Sequence, residues 1–133
     1  MRKTAAAVVA LVLLTTCTCL VNCTSRSRYL ERRVVVNGHT FKYRVWLPAH
    51  YSKLHHWPVI LFLHGSGERG DDNLRQISLG LGPALERYGE RYKAVVDFPQ
   101  CRFGDEWYGE EEQQALAALD QTMREFHGDR RRV

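Results

Sequence analysis

Cysteines are few in this chain of 133 residues, and their positions exclude a framework of disulfide bonds. Cys17, Cys19 and Cys23 lie close to the start, which leaves Cys101 alone in the rest of the sequence. A domain without paired cysteines has to be stabilised by its hydrophobic core. The length allows one such domain and not two.

No apolar run is long enough to cross a membrane as a helix. The longest covers residues 5–14, and a spanning helix needs about twenty apolar residues. It follows the basic pair Arg2-Lys3 and precedes a stretch of small polar residues, which is the order found in secretory signal peptides. We therefore predict a signal peptide at residues 1–23 and a secreted or periplasmic protein. A buried N-terminal helix is the alternative.

A clean A-x-A cleavage site is also absent, so the residues do not fix the point of cleavage. Leu14-Thr15-Thr16-Cys17 loosely matches a lipobox, with Thr where Gly, Ala or Ser is usual. A lipoprotein anchored through acyl chains on Cys17 is the alternative to a freely secreted protein. A membrane partner is expected only if Cys17 is lipidated.

The sequence lacks a concentrated charge of one sign. The net charge of +4 falls to +2 without residues 1–23, because 19 basic residues become 17 against 15 acidic ones. Basic residues cluster only at 130–132. A protein that binds nucleic acid would have a basic face with interleaved aromatic residues, so no nucleic-acid partner is expected.

His55-His56 has no Cys or carboxylate at ligand spacing, so no metal site is predicted. No P-loop with G-K-[ST] is present, and no cofactor is expected.

Alternating apolar residues begin near Arg32. Strands are predicted at 32–36 and 40–47, joined by Asn37-Gly38, which is a strong signal for a hairpin. Residues 58–63 are apolar without alternation, as in a strand that is buried on both faces between parallel neighbours.

A helix is predicted at 73–88, with a break at its internal glycines and proline, and a buried strand at 94–98. A second helix is predicted at 109–126, with Leu116, Leu119, Met123 and Phe126 on one face. A further strand begins at Val133. The order predicts an α/β fold in which an antiparallel hairpin leads into a parallel sheet covered by helices on both faces.

The segment that carries the most chemical information is His64-Gly65-Ser66-Gly67, directly after the strand at 58–63. An ordinary glycine-rich turn is one interpretation. The segment also resembles the turn after the third strand of α/β-hydrolases. The resemblance implies that the backbone N–H of Ser66 stabilises an oxyanion, with Gly65 and Gly67 shaping the turn. Taken individually, His64 is more simply a structural brace of the turn than a base.

A second segment strengthens the resemblance. Phe98-Pro99-Gln100-Cys101-Arg102, followed by Trp107-Tyr108-Gly109 and a long helix, is similar to the fourth-strand exit of exported esterases. These form the phospholipase/carboxylesterase and dienelactone-hydrolase-like branch, with feruloyl esterase and polyhydroxybutyrate depolymerase relatives. The resemblance covers about residues 30–133 and implies an α/β-hydrolase three-layer sandwich. It also implies a small-molecule ester substrate and a serine triad without a metal or organic cofactor. Trp107 and Tyr108 either cover the sheet edge or line a pocket.

The nucleophile elbow G-x-S-x-G of these enzymes is missing. None of the five serines (Ser25, Ser27, Ser52, Ser66 and Ser78) has glycine at both −2 and +2. We therefore expect residues 24–133 to be the N-terminal part of the domain, with all three triad members beyond Val133 and no activity. The strand that ends at His64 would then be an exposed edge, through which copies of the chain could associate.

Two other functions remain open. The first is a non-catalytic exported binding module built on half of the hydrolase scaffold. The second is an unusual hydrolase that uses Cys101 with His64, although Cys101 has no helix N-terminus or base beside it in sequence and is more simply a buried apolar residue.

Overall fold

A computed structural model describes residues 28–133 of the chain. The predicted signal peptide at 1–23 and the predicted lipidation site at Cys17 lie outside the described residues. No helix of the described part is long and apolar enough to span a membrane.

The predicted hairpin is present. Strand β1 (Tyr29–Val36) pairs antiparallel with β2 (His39–Trp46), and Val36 lies opposite His39. The turn places Asn37 at φ 50° and Gly38 at φ 83°, the positive values that a two-residue type I′ turn requires. β1 starts three residues earlier than predicted, because Tyr29 pairs with Trp46.

The four strands form one sheet in the order β1-β2-β4-β3, where β3 is Val59–Leu61 and β4 is Val95–Pro99. β4 pairs antiparallel with β2 and parallel with β3. The sheet therefore changes from antiparallel to parallel at β4. All five residues of β4 are buried, as expected for a strand with neighbours on both sides and helices on both faces.

The prediction for residues 58–63 was partly wrong. β3 is an edge strand with three residues, and Ile60 and Leu63 are 38% and 44% exposed. Among residues 28–133 its one strand neighbour is β4, and the hydrogen bond from Phe62 N–H to Asp97 O continues that pairing after the strand ends. An uninterrupted apolar run predicts burial on both faces only if the strand lies inside the sheet.

The helical segment after the glycine turn is broken as predicted. A 3₁₀ turn at Arg75–Ile77 precedes helix α1 (Leu81–Tyr88), and Gly80 between them has φ 60°. A further 3₁₀ turn, Gly89–Arg91, follows α1. Helix α2 (Glu110–Glu125) begins after Gly109 with three glutamates in its first turn, where the helix dipole favours negative charge.

Two apolar clusters on opposite faces of the sheet make it the middle of three layers. On one face Tyr43, Val45 and Val95 pack with Ala118, Met123 and Phe126 of the α2 segment. On the other face Trp46, Val96 and Phe98 pack with Leu85 of α1.

The buried face of α2 only partly coincides with the face that carries Leu116, Leu119, Met123 and Phe126. Ala115, Ala118 and Thr122 turn toward the sheet, whereas Leu116 is 52% exposed. Small residues allow the helix to lie close to the sheet, and helical periodicity alone does not distinguish this face from its neighbour.

The chain after α2 returns to the edge of the sheet. Gly128 forms an isolated parallel β-bridge with Trp57, and Val59 N–H donates a hydrogen bond to Arg132 O at 2.9 Å. Extended pairing therefore begins before Val133, the position at which a new strand was predicted.

Candidate functional site

The glycine turn between β3 and α1 leaves two backbone donors without an acceptor. After β3 the chain runs to Gly65, which has φ −80° and ψ −176°, and then forms a 3₁₀ turn at Ser66–Glu68. Glu68 N–H donates to Gly65 O at 3.3 Å. Within residues 28–133 the N–H groups of Ser66 and Gly67 have no hydrogen-bond acceptor, and both residues are exposed. They can therefore donate to a bound group.

Ser66, the first of these donors, lines a cleft of about 400 Å³. One wall is the glycine turn that follows β3, and the other is the loop between β4 and α2. The lining residues are His64, Gly65, Ser66, Arg69, Glu106, Trp107 and Tyr108. The cleft thus lies where two parallel strands end, the position at which open α/β sheets bind ligands.

His64 joins the two walls of the cleft. Its buried ring accepts the backbone N–H of Cys101 at Nε2, at 3.0 Å. Because Nε2 is an acceptor, Nδ1 carries the proton of the neutral ring and donates to Gly65 O at 2.7 Å. Both ring nitrogens are engaged with the backbone, so in this arrangement neither can take a proton from a nucleophile.

The aromatic residues after β4 belong to the cleft. Trp107 Nε1–H donates to His64 O at 2.9 Å, and the rings of Trp107 and His64 meet edge to face with centroids 5.0 Å apart. Tyr108 is 70% exposed beside them. Of the two interpretations of Trp107 and Tyr108 that the sequence left open, their positions match the lining of a pocket.

Arg69 gives the cleft its positive charge, a role that the sequence did not indicate. Its guanidinium lies 3.7 Å from a carboxylate oxygen of Glu106 on the opposite wall, and the Glu106 side chain is 70% exposed. Because the Glu106 partner is exposed, the pair contributes little to stability. Arg69 and Ser66 line the same cleft, so the guanidinium can attract an anion that enters it.

Cys101 is unsuited to act as a nucleophile. Its side chain is buried, and its thiol contacts Arg102 O at 3.7 Å. Burial, reinforced by the negative charge of Glu111, raises the pKa of the Cys101 thiol to about 11. His64 bonds to the amide of Cys101 and not to its sulfur. The described residues therefore form no Cys–His catalytic pair at this position.

The same part of the chain offers no Ser–His pair either. No histidine ring of residues 28–133 is hydrogen-bonded to a serine hydroxyl, that of Ser66 in the cleft included. His55 and His56 are exposed, and no cluster of three potential metal ligands occurs in the described chain. The arrangement can bind and polarise a carbonyl or carboxylate oxygen, but it supplies no attacking group.

The fold has a counterpart among solved structures. The crystal structure of a thermostable esterase superposes with a TM-score of 0.67 at 24% sequence identity. The chain has an esterase-like α/β fold. The match covers 77% of this chain and 31% of the esterase, so the chain spans about a third of that enzyme's length. No family model matches the sequence, and no curated protein matches it.

Proposed function

We propose that this chain forms the oxyanion-binding part of a carboxylic-ester hydrolase of the serine type. The observation that carries the proposal is the unpaired N–H of Ser66, which lines a cleft between two parallel strand ends and is followed in the same turn by the unpaired N–H of Gly67. Amides fixed in this way stabilise the negative oxygen of a tetrahedral intermediate, and the loss of one donor typically costs about 3–4 kcal/mol. The esterase-like fold supports the same function.

The oxygen of an ester carbonyl would accept from both amides. Its alcohol or acyl group would lie against Trp107 and Tyr108, with the Arg69 guanidinium attracting the carboxylate product. His64 maintains the turn through its bonds to Gly65 and Cys101. The attack itself requires a serine and a histidine base that these residues do not provide. We therefore expect no turnover of p-nitrophenyl acetate by the 133-residue chain above a sample of unfolded chain.

A non-catalytic binding module is the second candidate. It is favoured by one observation, namely that the cleft has donors while the described residues hold no nucleophile–base pair. Both candidates require the cleft to bind a carboxylate. They differ in whether a supplied segment that contains a nucleophile restores ester hydrolysis.

The experiment is a titration of the ¹⁵N-labelled chain with acetate, followed by the amide shifts of Ser66 and Gly67. Two charge-assisted hydrogen bonds of about 2 kcal/mol each correspond to a dissociation constant on the order of 1 mM. Acetamide, which has the same shape without the charge, is the control ligand. Equal and unsaturable shifts with both ligands would reject the proposal.

Export and lipidation stay predictions from the sequence. Because residues 1–23 lie outside the described part, the proposal of a secreted or periplasmic protein rests on their composition alone. Mass spectrometry of the protein after expression with its first residues intact would identify the mature N-terminus and any acyl chains on Cys17.

A further inference from the structure

Gln100, the first residue after β4, is buried and bonded to three residues of one loop. Its Oε1 accepts the N–H of Asn73 at 2.7 Å. Its Nε2 donates to Asp72 Oδ1 at 2.9 Å and to Glu68 O at 3.2 Å. The residue is 4% exposed. A single side-chain amide therefore supplies both a donor and an acceptor to residues 68–73, which follow the glycine turn directly.

The backbone around Gln100 is fitted to this side chain. Gly70 N–H donates to Cys101 O at 2.9 Å, and a Cβ at Gly70 would lie 3.0 Å from Gln100 Nε2. Asn73 has φ 56°, which a non-glycine residue adopts only at a cost. Its N–H bond to Gln100 is one interaction that offsets this cost. Residues 68–73 therefore pack closely around the side-chain amide of Gln100, and a movement of this loop would break its hydrogen bonds to that amide.

The two ends of the 3₁₀ turn that presents the candidate donors are thereby held by adjacent residues. At the start of the turn, Gly65 O accepts from His64, whose ring is bonded to Cys101 N–H. At the end of the turn, Glu68 O accepts from Gln100. Both anchors thus come from Gln100-Cys101 at the end of β4. The orientation of the Ser66 and Gly67 amides between them depends on this dipeptide.

We propose that Gln100 is a positioning residue for the amide donors of Ser66 and Gly67. This inference rests on the proposed function, in which those amides bind the substrate oxygen. Gln100 itself does not line the cleft of Ser66 and acts through Glu68 and the loop. Its loss should displace the two amides and weaken anion binding more than it affects the rest of the fold.

The charge of the surroundings makes Gln100→Glu the most informative variant. Burial raises the pKa of Asp72, but hydrogen bonds from Gln100 and from the Leu74 and Arg75 amides outweigh this effect and leave its pKa below the ordinary value. Asp72 is thus an anion at neutral pH, and a carboxylate at position 100 would face both it and the Glu68 carbonyl oxygen. Protonation of the introduced Glu at acid pH would restore one donor, so the defect should be partly reversed.

The test compares amide shifts, hydrogen exchange and acetate binding in the full 133-residue chain. The matched control is Gln121→Glu, which makes the same change of charge on α2, where Gln121 forms no hydrogen bond with the loop. For Gln100→Glu at pH 7 we expect displaced Ser66 and Gly67 amide shifts and about tenfold weaker acetate binding, with shifts returning toward the wild-type values near pH 5. Gln121→Glu should leave all three readouts unchanged.

Gly70→Ala provides a milder perturbation if the first variant does not fold. Its added Cβ presses on Gln100 Nε2 at 3.0 Å, and Gly70 does not have a positive φ that would forbid alanine. Smaller shifts at the same two amides are expected. Unchanged Ser66 and Gly67 amides in the folded variants would overturn the inference. If the wild-type amides bind no acetate, the proposed function fails, whereas the ligand-free shifts still decide the role of Gln100.

Discussion

The ring nitrogen Nε2 of His64 lies 3.0 Å from the backbone nitrogen of Cys101 and accepts its hydrogen bond. This bond joins the segment that leaves β3 to the segment that leaves β4, across the cleft that both segments form. It also fixes which nitrogen of the neutral ring is protonated, because Nδ1 then donates to Gly65 O. The histidine connects the walls of the candidate site through main-chain atoms on both sides.

His64→Phe should destabilise the fold, because a ring of similar size leaves Cys101 N–H buried without an acceptor. An unsatisfied buried donor costs about 1–3 kcal/mol. Urea unfolding would measure the loss, with exposed His56→Ala as the control that changes stability by less than about 0.5 kcal/mol. Equal stabilities of wild type and His64→Phe would show that the bond has no structural importance.

Asp97 predicts an unusual dependence of stability on pH. It is fully buried in β4, neither carboxylate oxygen has a hydrogen-bond partner among the described residues, and burial raises its pKa well above the ordinary value. The native state therefore holds a proton that the unfolded chain releases above about pH 4. Stability should fall as pH rises from there toward the native pKa, by up to about 1.4 kcal/mol per pH unit.

Asp97→Asn cannot ionise and should remove this slope. The test is the free energy of unfolding of both proteins, measured in urea at pH 5, 7 and 9. The stability of the variant relative to the wild type should increase as pH rises. The other polar groups near Asp97 on this face, Tyr43 OH and Thr122 Oγ1, are common to both proteins. Parallel stability curves would contradict the assignment of a buried proton to Asp97.

The exposed edge of β3 predicts self-association. Val59 N–H is paired with Arg132 O, but Leu63 N–H has no acceptor within the described chain, and alternation places Leu61 N–H on the same side as Val59. The side chain of Ile60 adds apolar surface, with 38% of the residue exposed. Unpaired apolar edges recruit other strands.

Sedimentation at increasing protein concentration should show dimers or larger species for the wild type and a shift toward monomer for Ile60→Lys. Lysine at an edge strand opposes pairing between chains. Leu54→Lys places the same charge on a surface residue that is 90% exposed and away from the strand, and it should not alter the distribution. A wild-type chain that stays monomeric at all concentrations would reject this prediction.

Local patterns predicted the parts of the fold that depend on neighbours in sequence. Asn37-Gly38 fixed the hairpin through the positive φ of both residues, and Gly80 broke the helical segment for the same reason. The turn at 64–67 was predicted from its glycines and histidine. These features require particular backbone angles, which residue types reveal directly.

Features that depend on distant contacts were not predicted. Ile60 is exposed because β3 has one strand neighbour, and the buried face of α2 is set by Ala115 and Ala118, which fit against the sheet. Gln100 occupies a buried position that its polarity argues against. The sequence signal for Gln100 was its place as a polar residue directly after a buried strand. Its hydrogen-bond partners could not be predicted, because they lie 27 to 32 residues away in sequence.

The central claim is that the backbone N–H of Ser66 binds an anionic oxygen, and a matched pair of variants separates it from the hydroxyl. Ser66→Ala keeps the N–H, whereas Ser66→Pro removes it. Proline is tolerated here because Ser66 begins a 3₁₀ turn and Gly65 is already extended at φ −80° and ψ −176°. In an acetate titration monitored at the Gly67 amide, Ser66→Ala should bind as the wild type does. Ser66→Pro should bind about tenfold more weakly or worse. Equal acetate affinity in the two variants would contradict the account.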